Sequence, residues 1–378
     1  MKKMNNGKPR LHDGAVKALP LALMLAMGAV HAQDADSMFS YSGFGTVGAT
    51  HSSSKKGDYV STLYQPSGPG VSRSWDINTD TKLGAQVSAR ISDQLTAVVQ
   101  LVSAARSDNT FEPRFEWANL QYAFTPDFKV RVGRTALATF LASDTRLVGY
   151  ANPWIRPPVE IYSDTPMTNL DGVDLTYRSR FGGVINTLQL FTGRTDIKTI
   201  DGAGQELPTN KIRRARGLAN SVEFGAWTVR ASYMQSTVTF DLGGGTILDV
   251  AQRSVATGAS YDPGTWFVQG EYTSVKLPGI TPTVKGAYVM GGYRLGNFTP
   301  YAIHARSWST NVDVGLTTYD QRTDTLGVRW DAMKNIAVKL QFDQIRPVTG
   351  SAGYFIRARP GLDSSNFRLL GLAVDFVF

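Results

Sequence analysis

Apolar and polar positions alternate with a period of two along most of this chain, and helical spacing is nearly absent. The last segment shows it plainly: Leu370, Leu372, Val374, Phe376 and Phe378 alternate with Gly371, Ala373 and Asp375. Ile336, Val338, Leu340 and Phe342 alternate likewise with Ala337, Lys339, Gln341 and Asp343. So do Leu326, Val328 and Trp330 with Gly327, Arg329 and Asp331, and Trp266, Val268 and Tyr272 with Phe267, Gln269 and Glu271. Successive side chains on a strand point to opposite faces, so these segments predict strands with one apolar face. A soluble two-sheet sandwich gives the same pattern, and alternation alone leaves both architectures open.

The connections separate them. Short links fall at 92–94, 125–127, 179–183, 225–226, 262–264, 296–297 and 332–335. Long polar or glycine-rich links lie between them, at about 53–73, 107–114, 135–169, 195–214, 241–250, 277–284, 309–320 and 347–366. The two kinds alternate, and seven short with eight long links join sixteen strands of about ten residues. A transmembrane barrel sorts its links in this way, with tight turns on the periplasmic side, long loops outside and an even strand number. Tilted strands of that length span the hydrocarbon, and closure pairs the backbone groups that lipid cannot satisfy. The chain therefore predicts an all-β fold: a transmembrane antiparallel β-barrel of about sixteen strands, with both termini in the periplasm. Tyr122, Tyr177, Tyr233, Tyr261, Tyr272, Tyr293, Tyr301 and Trp330 fall near predicted strand ends, as interfacial aromatic girdles do.

The N-terminus sets the compartment. Lys2, Lys3, Lys8, Arg10 and Lys17 precede an apolar run from Ala18 to Val30, and Val30-His31-Ala32 offers a cleavage site. This is the order of a secretory signal. The run rises only about 20 Å as a helix, against about 30 Å for a bilayer core. Residues 1–32 are assigned to a signal peptide and 33–378 to a single barrel domain, exported through the periplasm to the bacterial outer membrane. The signal holds five basic residues and one acidic; the remaining 346 residues carry 34 basic and 30 acidic, a net of +4. That balance is too even for a nucleic-acid surface. With no cysteine in the chain, disulfides and thiolate chemistry are excluded. No later stretch of eighteen apolar residues would make a membrane helix.

Several segments together resemble the Gram-negative general porins, the trimeric sixteen-stranded outer-membrane type. They are Phe39-Ser-Tyr-Ser-Gly-Phe-Gly-Thr-Val-Gly48, Val130-Arg-Val-Gly-Arg134, Phe298-Thr-Pro-Tyr-Ala302, and Leu326-Gly-Val-Arg-Trp-Asp331 followed by Ile336-Ala-Val-Lys-Leu-Gln-Phe-Asp343. Phe378 resembles the terminal aromatic signal read by the barrel-assembly machinery. The resemblance covers the whole chain after the signal. It implies a homotrimer, outer-membrane lipid and lipopolysaccharide as surroundings, and small polar solutes as cargo. It also implies that the 135–169 loop folds inward as a constriction, with Asp144, Glu160 and Asp164 facing Arg131 and Arg134. The chain departs from the enteric pattern: a Pro-Glu-Phe-Gly-Gly-Asp run is missing, and Arg146 and Arg156 stand in the loop.

Strand parity offers an independent set. If apolar residues face lipid, their neighbours face the lumen. That places Arg131, Arg230, His304, Arg306, Arg329 and Lys339 inside, with Glu271, Asp331 and Asp343. A charge facing lipid at the midplane costs a few kcal/mol, which favours the inward assignment. Five basic against three acidic residues, His304 left out, predicts a weak anion preference.

Competing motifs fail on context. Gly43-Phe-Gly45-Thr-Val-Gly48 matches a dinucleotide fingerprint but leads into a loop instead of a helix. Asp76-x-Asn78-x-Asp80 opens like a calcium loop, yet Thr81 and Val87 replace its glycine and glutamate. After the signal only His51 and His304 remain, with no nucleophile elbow. The chain is therefore read as needing no cofactor, metal or catalysis. The function expected is passive diffusion of small hydrophilic solutes and ions. The alternatives are a substrate-specific channel using Tyr150, Trp154 and Tyr162 of the long loop, or a barrel adhesin or receptor.

Overall fold

The computed structural model describes residues 37–163, 165–241, 246–313, 315–316 and 318–378, so the signal segment 1–32 lies outside the described residues. Among those described, sixteen long strands follow in order. They are β1 Phe39–Ser52, β2 Lys82–Arg90, β3 Leu95–Ala104, β4 Arg114–Thr125, β5 Phe128–Ala136, β6 Asn169–Phe181, β7 Val184–Ile197 and β8 Asn210–Phe224. The second half is β9 Trp227–Asp241, β10 Ile247–Tyr261, β11 Trp266–Lys276, β12 Thr283–Tyr293, β13 Phe298–Thr310, β14 Gln321–Met333, β15 Ile336–Pro347 and β16 Phe367–Val377. Each pairs antiparallel with the next, and β1 pairs with both β2 and β16, so the sheet closes on itself. The fold is a closed antiparallel barrel, as the sorted links predict.

Turn chemistry matches the short links. Phe181 and Val184 face each other across the two-residue turn Gly182-Gly183, where both glycines have positive φ, 49° and 88°. A two-residue hairpin of this hand needs that conformation, which a side chain would oppose.

The outer face is apolar through its middle. Near the short turns it carries Trp227, Trp266, Tyr293, Phe298 and Trp330, all exposed. Trp227, Tyr261 and Trp266 adjoin ring to ring, and Phe298 stacks on Trp330. The outer face of β1–β4 is uncharged, with residues such as Gly45, Ala85, Val99 and Leu120. Towards the loop ends of β10–β16, by contrast, it presents Arg253, Lys276, Lys285, Arg306, Arg322, Arg346 and Arg368.

Two parity assignments are corrected here. On β13, Thr299, Tyr301, Ile303, Ala305 and Ser307 are buried, and Pro300, Ala302, His304 and Arg306 are exposed. His304 and Arg306 therefore face outward, and Tyr301 belongs to the interior, not to a girdle. The rule that apolar means lipid-facing fails because the inner wall is itself apolar here. Met290, Tyr301, Ile303 and Ala305 join one cluster with Phe140, Trp154 and Ile161 of the long loop. The cost of outward charge is reduced by pairing: His304 Nδ1 lies 2.7 Å from Asp324 Oδ1, and Arg346 Nη1 2.7 Å from Asp324 Oδ2.

Replacing Leu120, on the uncharged outer face of β4, with arginine is expected to lower stability in lipid vesicles by about 2–4 kcal/mol. The lumen-facing neighbour change Gln121→Arg should cost much less. Urea titration of both variants checks the facing of the strand.

Candidate functional site: the inward loop and the remaining bore

Residues 137–168, between β5 and β6, fold into the barrel. The neck is closed by Leu137 N–H donating to Thr168 O at 2.8 Å. Arg146 reinforces it by donating to Met167 O at 2.8 Å. From there the chain runs across the inner faces of β9–β16 and β1, held at successive stations. Ser232 donates to Thr139 O, and Leu141 N–H to Glu271 Oε2, each at 2.8 Å. Tyr162 and Tyr288 hydroxyls both donate to Glu271 Oε1.

At the far wall the loop's backbone is received by cations. Lys339 Nζ donates to the carbonyls of Gly149, Asn152 and Trp154 at 2.7, 2.7 and 2.8 Å and lies 2.7 Å from Asp375. Arg329 donates to the Tyr150 and Asn152 carbonyls, with its guanidinium over the Tyr150 ring. The approach is close enough to demand glycine at 149, since a Cβ there would sit 2.1 Å from Asp375 Oδ1. Trp154 and Ile161, 2% and 0% exposed, sink into the apolar cluster. Burial of each such side chain contributes about 1.5–3 kcal/mol.

Arg156 is a second buried cationic anchor, 4% exposed. Its guanidinium makes a bidentate pair with Asp80 at 2.9 and 2.6 Å, reaches Asp343 at 2.7 Å and donates to Thr50 Oγ1 at 2.8 Å. Thr50 in turn donates to Asp80 Oδ2 at 2.6 Å. Pro157 and Pro158 follow and lead into a single helical turn, α1 Val159–Tyr162. There Glu160 accepts from Gln321 at 2.7 Å and from Thr323. Burial alone would raise the Asp80 carboxyl, but the Arg156 guanidinium outweighs it and holds the group below the usual carboxylate range. Glu160 has no cation in contact, and burial pushes its carboxyl up.

The loop leaves the β2–β9 side of the bore open. That wall presents inward Gln86 and Gln100, bonded to each other at 3.0 Å, then Gln121, Lys129 and Arg131. Asp174, Gln189 and Arg230 complete it. Arg131 pairs with Asp174, which also accepts from Gln189 at 2.7 Å. Arg230 donates to Ser221 at 3.0 Å. Facing this wall from the loop is the exposed Asp144, close enough for its charge to act on both Lys129 and Arg230.

Of the residues assigned to the constriction from sequence, the structure brings Arg131, Asp144 and Arg230 to this aperture. Arg329 and Lys339 face inward but are occupied by the loop backbone. Glu160 is turned away from Arg131 and buried against β14, because its helical turn packs on the wall. Arg134 is on the same face as the exposed Val132 and pairs with Asp171 at 2.6 and 2.7 Å, so it faces outward. Arg306 is outward, as above, and Asp164 lies outside the described residues. Trp154 and Tyr162 are buried and Tyr150 half-buried, so the first two cannot form a recognition surface. Sequence reasoning missed Lys129 and Asp174, although each alternates with apolar neighbours on its strand and parity would have found them.

Solved structures share this architecture. An anion-selective porin from Comamonas acidovorans superposes with a TM-score of 0.57 at 14% identity, over 90% of this chain and 100% of that one. OmpF of Salmonella typhi, in complex with daunomycin, gives 0.56 at 15% identity, over 90% and 97%. In-vitro folded OmpT of Vibrio cholerae, in its trimer form, gives 0.54 at 13%, over 90% and 100%. At these identities the likeness shows the fold. No family model matches the chain, and no curated protein matches it in sequence.

Arg156→Ala leaves two carboxylates buried without their cation. It should destabilise loop docking by about 3–5 kcal/mol and raise single-channel conductance, measured on the refolded barrel. The pH dependence follows from the opposite shifts of the two carboxyls. Asp80, held low, stabilises docking above its unfolded value, and that contribution is lost as pH falls through its lower folded value. Glu160, held high, contributes below its unfolded value and loses that contribution as pH rises through its folded value. Docking should therefore be tightest in mild acid, and Glu160→Gln should remove the weakening on the alkaline side. Protease sensitivity of the loop across pH checks both.

Proposed function

We propose that the chain forms a water-filled channel in the bacterial outer membrane for passive diffusion of small hydrophilic solutes, with a weak preference for anions. The observation that carries this is the aperture: Lys129, Arg131 and Arg230 on the wall against Asp174 and the loop's Asp144. Arg131 and Asp174 neutralise each other, leaving Lys129 and Arg230, with Arg178 acting on Lys129 from the same face, against Asp144 and the loop-bonded Glu271. In a narrow bore the local dielectric is lowered and such an imbalance is amplified, while screening within about 8 Å confines it to the aperture. Transverse separation of Asp144 from the cations sets a field across the path that orients passing dipoles. The reading is of a conduit with no chemical step.

The outer surface supports the wider setting. Arg306, Arg322 and Arg346 occupy one register row. Like charges opposed across strands repel unless anions lie over them. Phosphates of lipopolysaccharide at the outer leaflet are the anions this belt fits. The uncharged outer face of β1–β4, which mixes Gly45 and Ala85 with Val99 and Leu120, suits packing against further copies in a homotrimer. Phe378, directly after β16, keeps its proposed role as the signal to the assembly machinery.

Arg131→Glu combined with Arg230→Glu should invert the preference. A reversal potential measured under a salt gradient, moving from anion-favouring to cation-favouring, is the expected result. An unchanged potential would place the selectivity elsewhere.

A further inference from the structure

Part of the loop-side wall of the bore is apolar. Inward positions at the upper ends of β8–β12 carry Ile212, Val238, Val275 and Val284, and Leu207 and Leu277 close over them from the loops. They enclose a cavity of about 350 Å³. That is the size of a small-molecule pocket, and apolar lining with a few polar groups is the usual make-up of one. Water gains little from such walls, whereas an apolar solute is stabilised by about 25 cal/mol per Å² removed from water.

The charged side of the same vestibule supplies the second half of a site. Met167 and Ile197 line both this cavity and a neighbouring one of about 140 Å³, whose wall includes Arg106, Arg114 and Lys198. Arg106 stands out among them. Its Nε is buried with no hydrogen-bond partner, and its guanidinium also borders a third cavity beside Lys82 and Arg146. Lys198 is taken by Glu206, Arg114 by Asp108 and Arg134 by Asp171, so Arg106 is the cation of this wall without an ion pair, with the Glu116 carboxylate of the same wall acting on it from beyond contact.

We infer that the vestibule binds amphipathic organic monoanions, a carboxylate on Arg106 and a compact aryl or alkyl body in the apolar cavity, before they pass to the cationic aperture. This rests on the channel reading and narrows its substrate class.

The test uses the refolded full-length barrel in planar bilayers, with 3-phenylpropanoate, acetate and 3-phenylpropylammonium added on the loop side. Phenylpropanoate is expected to reduce chloride current saturably at concentrations where acetate does not. Leu277→Ser and Arg106→Gln should each raise the half-blocking concentration about tenfold. Equal block by acetate, equal block by the ammonium compound, or unchanged block in both variants overturns the inference. A barrel that conducts chloride but is not blocked refutes the site alone. One that conducts nothing refutes the channel reading, and titration calorimetry with phenylpropanoate on the same protein still decides the site.

Discussion

The narrowed bore depends on one buried cation. Arg156 is joined to Asp80 beside β2, Thr50 on β1 and Asp343 on β15, so a single guanidinium fixes the loop to three separate parts of the wall. Its geometry is what makes burial affordable: five donors in a planar fork meet two carboxylates and a hydroxyl, and Lys82 acts as a second cation on Asp80. A lysine would bring the same charge but not the planar fork that bonds Asp80 at two points while reaching Asp343 and Thr50. The residues on both sides, Trp154 in its cluster before it and the two prolines and α1 after it, take their position from that point.

The consequence is a division of labour inside the barrel. One half of the inner wall is dry, and its polar residues (Lys339, Gln341, Glu271, Arg329) spend their hydrogen bonds on loop backbone and loop side chains. The other half is left uncovered by the loop and presents Lys129, Arg131 and Arg230 to the bore. Asp144 marks the border, on the loop but exposed to the open side.

That division also explains what the sequence could and could not disclose. Barrel closure, strand number and the order of short and long links were legible, because period-two patterning and turn composition are local properties. Arg131 and Arg230 were legible for the same reason. His304 and Arg306 were misplaced because parity tells one face from the other but not which is wet, and here protein covers the inner one. Glu160 and Arg134 were misplaced by resemblance, which supplies a loop but not the contacts of its individual carboxylates. Arg156 stood out in sequence only as a departure from an expected pattern; its partners, Asp80 and Asp343, are distant in the chain, and nothing local connects them.

The position of those partners also orders events during assembly. Thr50 belongs to the first strand of the barrel and Asp343 to the last but one, and the Lys339–Asp375 pair lies beside the seam where β1 meets β16. The loop's seat is complete only after the two ends of the chain have met. Seating is therefore a late step that reports closure of the seam, and a half-zipped barrel lacks the contacts that hold the loop across the bore. The same residues that narrow the finished pore thus distinguish a completed wall from an unfinished one.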